Sequence, residues 1–242
     1  MIPLPLPVAA PARSPWPPVL VTLAAAAALH LAFWHIVAAD MTAYLLPWFD
    51  HIRQTGPIAA FAAPFSNYTP PYLYLLALFS PLGPFVPAVS LIKLISVTGT
   101  GALALAVRHL LIRLDVPQAE RGAALVFLLP SVAINASLLG QADMFWAAPC
   151  IMALAAALDR RHAAMLLWCG VALSFKAQSV LIAPFFIAVL IHRRVPLRLW
   201  PLTPLATAAM MMPAILAGWP LGDLLAIYAQ QSTTFADLSR NA

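Results

Sequence analysis

Two short polar segments interrupt the apolar second half of the chain. Gly140-Gln141-Ala142-Asp143 separates two apolar runs, and Lys176-Ala177-Gln178 separates two more. A charge in or beside a membrane is costly unless it is paired or hydrated, so Asp143 and Lys176 are candidates for function. The ammonium could hold a phosphate, and the carboxylate could orient a sugar hydroxyl or a metal ion. The alternative is a structural ion pair between the two; the glutamine near each charge favours function.

A third candidate, Asp40, precedes a regularly spaced set of residues. Tyr44, Trp48, Ile52 and Gly56 follow it at intervals of four, a spacing that stacks one face of a helix. A carboxylate screened from bulk water by Tyr44 and Trp48 could act as a general base. The alternative is an interfacial helix whose first acid favours the helix dipole and whose aromatic residues anchor it at the headgroups.

The segment Asn67-Tyr68-Thr69-Pro70-Pro71-Tyr72 is a stiff aromatic turn that leads into an apolar stretch. Its two prolines restrict the direction from which the chain approaches. The hydroxyls of Tyr68 and Tyr72 could bind a polar headgroup or a sugar. The alternative is an aromatic belt residue followed by a proline helix start.

The composition is that of a membrane protein. Of the 242 residues, 63% are hydrophobic and 9% charged, and the mean hydropathy is +0.89, whereas a soluble domain is about half apolar and about a quarter charged. A soluble enzyme is therefore excluded. The net charge of +5 comes from basic clusters between apolar runs that lack interleaved aromatic residues, which indicates topology signals and not nucleic-acid binding. Cys150 and Cys169 lie within apolar runs and are predicted to be packing residues.

The chain is predicted to consist of a tail and one all-α transmembrane module. Residues 1–18 contain seven prolines and are predicted to form a cytoplasmic tail, and residues 19–242 form the module. Its first helix is predicted over residues 19–39, followed by a large outer loop over residues 40–87. Within that loop, residues 70–82 are too short to span a membrane, which predicts a juxtamembrane or re-entrant helix. Further helices are predicted over residues 88–107, 122–139, 144–158, 163–175, 179–191 and 199–217.

Three basic clusters predict which helix ends face the cytoplasm. If all three do, residues 163–191 must form a hairpin of two short helices that turns at Lys176. The alternative is one long tilted helix, which would place Arg193 outside and break the charge rule. The hairpin gathers Asp40, Asp143 and Lys176 on the outer face, and Lys93, near the outer end of its helix, is predicted to snorkel. The clusters are Arg108, Arg113 and Arg121; Arg160 and Arg161; and Arg193, Arg194 and Arg198.

Together these motifs resemble the GT-C superfamily of integral-membrane glycosyltransferases, especially bacterial polytopic members related to the dolichol-pathway glucosyltransferases and the GPI mannosyltransferases. In that family the first outer loop carries an aspartate, an aromatic residue, a tryptophan and a glycine before a Tyr-Pro-Pro turn. A Gly-Gln-x-Asp and a Lys-x-Gln with a later proline follow. The matching residues here are Asp40, Tyr44, Trp48, Gly56, Tyr68-Thr69-Pro70-Pro71-Tyr72, Gly140-Gln141-Ala142-Asp143, Lys176-Ala177-Gln178 and Pro184, with Thr69 as a departure close to the GPI mannosyltransferases.

The resemblance implies an all-α, polytopic transmembrane fold with short re-entrant helices, and an inverting glycosyltransferase. The donor would be a sugar on polyprenyl phosphate and the acceptor a glycan or lipid, with transfer on the outer face of the bacterial inner membrane. No cofactor is implied, and a divalent metal is left open. The terminal residues 238–242 resemble the start of a family segment, so we expect the chain to be part of a longer protein. By this resemblance Asp40 is the general base, and the substrate-binding residues are Tyr44, Trp48, Tyr68, Tyr72, Gln141, Asp143, Lys176 and Gln178.

Two other functions fit the same residues. A flippase for polyprenyl-linked sugars would line a passage with these charges, but its helices should then be polar through their inner halves, whereas here the polar residues concentrate in the outer half. A non-catalytic fragment would result if an essential C-terminal part lies elsewhere. The sequence contains no Gly-rich phosphate loop, Walker motif, Ser-centred elbow or zinc-ligand pattern, which argues against an ATP-driven transporter and a rhomboid-like protease.

Overall fold

The computed structural model describes residues 16–240, and side chains as far as residue 230. Within this part of the chain every regular element is helical. Two of the predicted segments, the tail over residues 1–18 and the terminal motif over residues 238–242, lie partly outside it. The helices are α1 (Trp16–Ala32), α2 (Leu46–Thr55), α3 (Pro70–Phe79), α4 (Ala88–Arg113), α5 (Ala119–Val126), α6 (Pro130–Ala133), α7 (Asp143–Leu158), α8 (His162–Phe175), α9 (Ala183–His192), α10 (Leu202–Ala217) and α11 (Leu221–Arg240).

Helix α1 begins earlier and ends earlier than the sequence predicted. Its described part already includes residues 16–18 of the predicted tail. It stops at Ala32 rather than at residue 39. The prediction of a continuous helix over residues 19–39 is therefore wrong at both ends.

Lys93 explains how α1 can end inside an apolar stretch. Its side chain is completely buried, and its ammonium donates hydrogen bonds to the carbonyl oxygens of Phe33, Trp34 and Ile36 at 2.8, 2.9 and 2.5 Å. These carbonyls lie directly after the end of α1, and that of Phe33 also accepts the Ile36 N–H at 3.2 Å. The predicted snorkelling of Lys93 is therefore wrong, because its charge is satisfied within the protein.

The predicted outer loop folds into helices of its own. A π-helical turn over Met41–Leu45 runs directly into α2, and 3₁₀ turns over Ala59–Ala62 and Ser80–Leu82 flank the region that contains α3. Their buried side chains, among them Phe49, Phe61 and Leu76, form one core with Trp219, which lies near the other end of the chain. The loop is thus packed against α10 and α11.

The prediction of one helix over residues 122–139 is wrong. The chain breaks between α5 and α6, and the two parts are bent by 48°. Leu129 precedes Pro130 and has extended backbone angles (φ −60°, ψ 124°), as the residue before a proline prefers. Beyond α6 the chain continues as a π-helix over Ile134–Leu139, which ends at Gly140.

The predicted hairpin is present. Lys176 has extended backbone angles (φ −161°, ψ 138°), so α8 ends at Phe175 and the chain turns back into α9. The far end of α9 returns to the start of α8, where Arg193 Nη1 donates to the carbonyl of Ala157 at 2.7 Å. The alternative of one long tilted helix is therefore excluded.

Close helix packing relies on small residues. Gly170 of α8 lies so near α10 that a Cβ there would meet the carbonyl of Thr203. The hydroxyls of Thr203 and Thr207 donate to the carbonyls of Leu166 and Gly170 at 2.9 and 3.0 Å. Small residues that let helix backbones approach are typical of helix pairs in membranes.

Among the described residues, two helical stretches are long and apolar enough to cross a membrane, Ala88–Arg113 and Leu197–Ala217. The bent pair at Ala119–Val126 and Pro130–Leu139 makes a third if it counts as one span. Large apolar side chains are also well exposed, among them Phe85 at 84%, Leu181 at 81% and Leu216 at 80%. Soluble monomers rarely expose extensive apolar surface. The fold is therefore consistent with a membrane protein.

Candidate functional site

An ion pair joins the two polar segments that the sequence singled out. Lys176 Nζ lies 2.6 Å from Asp143 Oδ1, and the two side chains are 9% and 26% exposed. Asp143 begins α7 and Lys176 follows the end of α8, so the pair joins the adjacent ends of two antiparallel helices. The structural alternative from the sequence is thus realised in the fold, and any contact of Lys176 with a ligand must be made with this pair present or opened.

The carboxylate of Asp143 is held by two further donors. Asn135 Nδ2 donates to Oδ2 at 2.6 Å, and Trp146 Nε1 donates to Oδ1 at 3.2 Å. Asn135 was missed by the sequence analysis, although an asparagine within an apolar run eight residues before Asp143 was a usable signal. A carboxylate in the first turn of a helix also interacts favourably with the helix dipole. Three side chains therefore hold the Asp143 carboxylate in place.

Asp40 is connected to the same end of the bundle through Gln141. Gln141 Nε2 donates to Asp40 Oδ2 at 3.0 Å across 101 residues of sequence. The approach depends on Gly140, whose backbone has φ +66° and where a Cβ would clash with Met41. Glycine tolerates both constraints. The Gly-Gln-x-Asp segment therefore places its glutamine on Asp40 and its aspartate on Lys176.

The shielding expected around Asp40 is not observed. Asp40 is exposed, and Tyr44 is 46% exposed. The cause is the π-helical turn Met41–Leu45, in which hydrogen bonds run from i to i+5, so an interval of four does not keep side chains on one face. Met41 and Leu45 are buried instead. The prediction that Tyr44 and Trp48 screen Asp40 from water is therefore wrong.

The predicted aromatic residues form a continuous row. Ring centroids lie 5.9 Å apart between Tyr44 and Trp48, 5.0 Å between Trp48 and Tyr68, and 5.7 Å between Tyr68 and Tyr72. The ammonium of Lys176 lies 5.1 Å from the centroid of the Tyr68 ring, within reach of a cation–π interaction. The row therefore begins at Tyr44, four residues after Asp40, and meets the buried ion pair at Tyr68.

Tyr68 is held in place by the next residue. Thr69 is completely buried, and its hydroxyl donates to the carbonyl of Phe175 at 2.8 Å. This bond satisfies a carbonyl at the end of α8 and fixes the turn beside Lys176. The threonine that departs from a Tyr-Pro-Pro pattern thus has a structural role that the sequence analysis did not identify.

The phenols of this row are suited to donating hydrogen bonds. Burial raises the pKa of the Tyr68 phenol above its usual value, and the nearby Lys176 ammonium opposes that rise. The phenol is therefore neutral near pH 7 and retains its proton. Tyr72 is completely buried, and its hydroxyl has no hydrogen-bond partner among the described residues.

Gln178 is the last of the predicted substrate-binding residues. It lies in the 3₁₀ turn Ala177–Ile182, and its buried Oε1 has no hydrogen-bond partner within residues 16–230. Over the same residues, no three His, Cys, Asp or Glu side chains lie close enough to hold a metal ion. The arrangement offers an exposed carboxylate, a row of aromatic rings and a buried ammonium.

We predict that Asp143 and Lys176 depend on each other for stability. Lys176→Ala leaves a largely buried carboxylate without its cation and should lower the free energy of unfolding by about 3 kcal/mol. Adding Asp143→Asn should recover most of this loss. Arg53→Ala, which breaks the exposed pair with Asp50 at 3.7 Å, is the control and should cost below about 1 kcal/mol. Unfolding of the three purified variants and of the unaltered protein in detergent measures these differences. A double variant as unstable as Lys176→Ala would show that the pair is not coupled.

Comparisons with known proteins provide no family assignment for this site. Protein-family models, curated proteins and solved structures were each compared with the chain, and none matches it. The resemblance to glycosyltransferases therefore depends on the motif residues alone and on the positions that these residues take in the fold.

Proposed function

We propose that this protein is a membrane glycosyltransferase of the GT-C type, which transfers a sugar from polyprenyl phosphate to a glycan or lipid acceptor. The observation that supports the proposal is the convergence of distant motif residues. Asp40, Tyr68, Asp143 and Lys176 come from four separate segments, and hydrogen bonds, ring contacts and one ion pair connect them at one end of the helices. Helix packing alone would require the ion pair but not the exposed carboxylate or the aromatic row.

In the proposed reaction Asp40 accepts the proton of an acceptor hydroxyl. The acceptor oxygen forms a bond to the anomeric carbon, and the bond from that carbon to the phosphate oxygen breaks with its electron pair left on polyprenyl phosphate. Attack opposite the leaving group inverts the anomeric configuration. The role of Asp40 depends on position, because Gln141 holds Oδ2 at 3.0 Å and the exposed carboxylate faces an incoming acceptor.

The leaving phosphate is proposed to lie at the other end of the aromatic row. The Tyr68 hydroxyl would donate a hydrogen bond to it, and the Lys176 ammonium would stabilise its negative charge while shared with Asp143. Trp48 and Tyr44 would contact the sugar between the phosphate and Asp40. This order along the row places the anomeric carbon between the base and the leaving group.

The proposed orientation places this site on the outer face of the bacterial inner membrane. Its support is that basic residues lie at the opposite helix ends: Arg108 pairs with Glu120 at 2.9 Å and Arg113 with Asp159 at 3.0 Å. Arg193 lies at that end as well. Clusters of arginine favour the cytoplasmic side. The module is accordingly proposed to be polytopic, with the short α8–α9 hairpin entering from the cytoplasm.

Thiol labelling tests this orientation. Gln54 and Arg194 are both exposed. Gln54 belongs to α2, which carries Trp48 of the aromatic row, whereas Arg194 follows Arg193 at the end of α9. In a background with Cys150→Ala and Cys169→Ala, Gln54→Cys should react in intact cells with a membrane-impermeant maleimide, whereas Arg194→Cys should react only after the cells are permeabilised. Labelling of Arg194→Cys alone in intact cells would reverse the proposed topology.

The central prediction concerns Asp40. Asp40→Asn keeps the shape and the contact with Gln141 but cannot accept a proton, so sugar transfer should fall by at least about 100-fold, the usual contribution of a positioned base. Donor binding should be retained. Asp50→Asn is the matched control, because Asp50 lies in the same polar region but pairs with Arg53, and its transfer should stay within twofold of the starting protein, about 0.4 kcal/mol.

The measurement is transfer of a labelled sugar from a polyprenyl-phosphate donor by membranes in which each variant replaces the native protein. Equal amounts of the variants in the membrane are checked by immunoblot. Appreciable transfer by Asp40→Asn would remove Asp40 from the mechanism and would leave it only its interaction with the helix dipole. If membranes that contain the unaltered protein transfer no more sugar than membranes that lack it, the proposed function itself is contradicted.

A further inference from the structure

A polar cavity lies at the end of α8 that is opposite to Lys176. It has a volume of about 430 Å³ and is lined by Arg160, His162, His192 and Arg193. Helix α8 has 14 residues and is ~21 Å long, at ~1.5 Å per residue. This basic pocket is therefore separate from the network around Asp143 and Lys176.

The positive charge of the basic pocket is not balanced by an acid in its wall. The nearest acid in sequence, Asp159, pairs with Arg113 at 3.0 Å, and the four lining residues are all basic. Arg193 is fixed by its hydrogen bond to the carbonyl of Ala157. An anion is the ligand that such a wall attracts.

Two further features provide hydrogen-bond donors for an anion. The Nε2 atom of His162 is buried and has no partner within the described part of the chain. His162 also begins α8, whose first turn has no capping side chain, and the free N–H groups and dipole of a helix start favour a phosphate. A phosphate in the pocket would satisfy both.

A separate apolar cavity lies between α8, α9 and α10. Its volume is about 150 Å³, and its wall includes Leu166, Phe186 and Leu190. Leu166 lies one helical turn beyond His162, and Leu190 lies two residues before His192, so the two cavities share the same pair of helices. An anionic head and an apolar chain could therefore be bound side by side.

We propose that this end of the hairpin binds an anionic membrane phospholipid, with the phosphate in the basic pocket and an acyl chain in the apolar cavity. Basic pockets between helices on the cytoplasmic side of a membrane bind anionic headgroups in this way. Such a lipid would bridge α8, α9 and the end of α7 where Arg193 already meets Ala157. The proposal rests on the proposed orientation but not on sugar transfer.

Native mass spectrometry of the purified protein tests the proposal. Phosphatidylglycerol should be retained at least fivefold more strongly than phosphatidylcholine. Arg160 has a positive φ of 58°, which asparagine tolerates, so Arg160→Asn removes the charge without straining the backbone. It should weaken phosphatidylglycerol binding about fivefold, since one basic residue near a lipid surface contributes ~1 kcal/mol.

Arg194→Asn is the matched control. Arg194 is also an exposed arginine with a positive φ, of 49°, but it does not line the pocket, so binding should stay within twofold. Equal retention of the two lipids by the unaltered protein, a comparison that needs no variant, would overturn the proposal. So would an equal loss in both variants, which indicates only a general surface potential. Complete displacement of the lipid by millimolar inorganic phosphate would overturn the lipid as the occupant.

Discussion

The structure depends on the need to neutralise one ammonium group at the tip of a short helical hairpin. Lys176 is almost completely buried, and an ammonium buried with neither hydrogen-bond acceptors nor a counter-charge would be strongly destabilising. Lys93 is satisfied by three backbone carbonyls, whereas Lys176 is satisfied by a carboxylate. Asp143 supplies that counter-charge at 2.6 Å, which requires α7 and α8 to be antiparallel and to end at the same level. With 16 and 14 residues, the two helices meet this requirement. The segments that carry the remaining polar residues are fastened to these two helix ends.

Two hydrogen bonds attach the predicted outer loop to the ion pair. Thr69 reaches the carbonyl of Phe175, next to Lys176, and Gln141, two residues before Asp143, reaches Asp40. The aromatic row fills the distance between these points. The site therefore has an exposed carboxylate, Asp40, at one end. At the other end is a buried ammonium, Lys176, that Asp143 neutralises. A glycosyl transfer needs that asymmetry, because the acceptor comes from water and the leaving phosphate must be stabilised away from it.

Much of this arrangement could be predicted because it follows from charge and length. Arginines at both ends of residues 163–191 predict a hairpin, and the hairpin in turn predicts that Lys176 lies near Asp143. Local backbone geometry could not be predicted from the sequence in the same way. The π-helical turn after Asp40 changes which side chains face the core, Pro130 bends an apolar run that reads as one helix, and Lys93 ends α1 through carbonyls 57 to 60 residues away in sequence. Hydrophobic periodicity encodes none of these effects: the bend at Pro130 is local, whereas the contact of Lys93 is tertiary.

The most direct test of the account is to locate the donor on the protein. A photoreactive analogue of a polyprenyl-phosphate sugar is crosslinked to the protein in native membranes, and the labelled peptides are identified by mass spectrometry. The account predicts label within residues 66–72 and 174–180, on either side of the contact between Tyr68 and Lys176, and loss of that label when an unlabelled polyprenyl-phosphate sugar competes. Label confined to residues 158–163 and 190–195, or label that the competitor does not reduce, would contradict it.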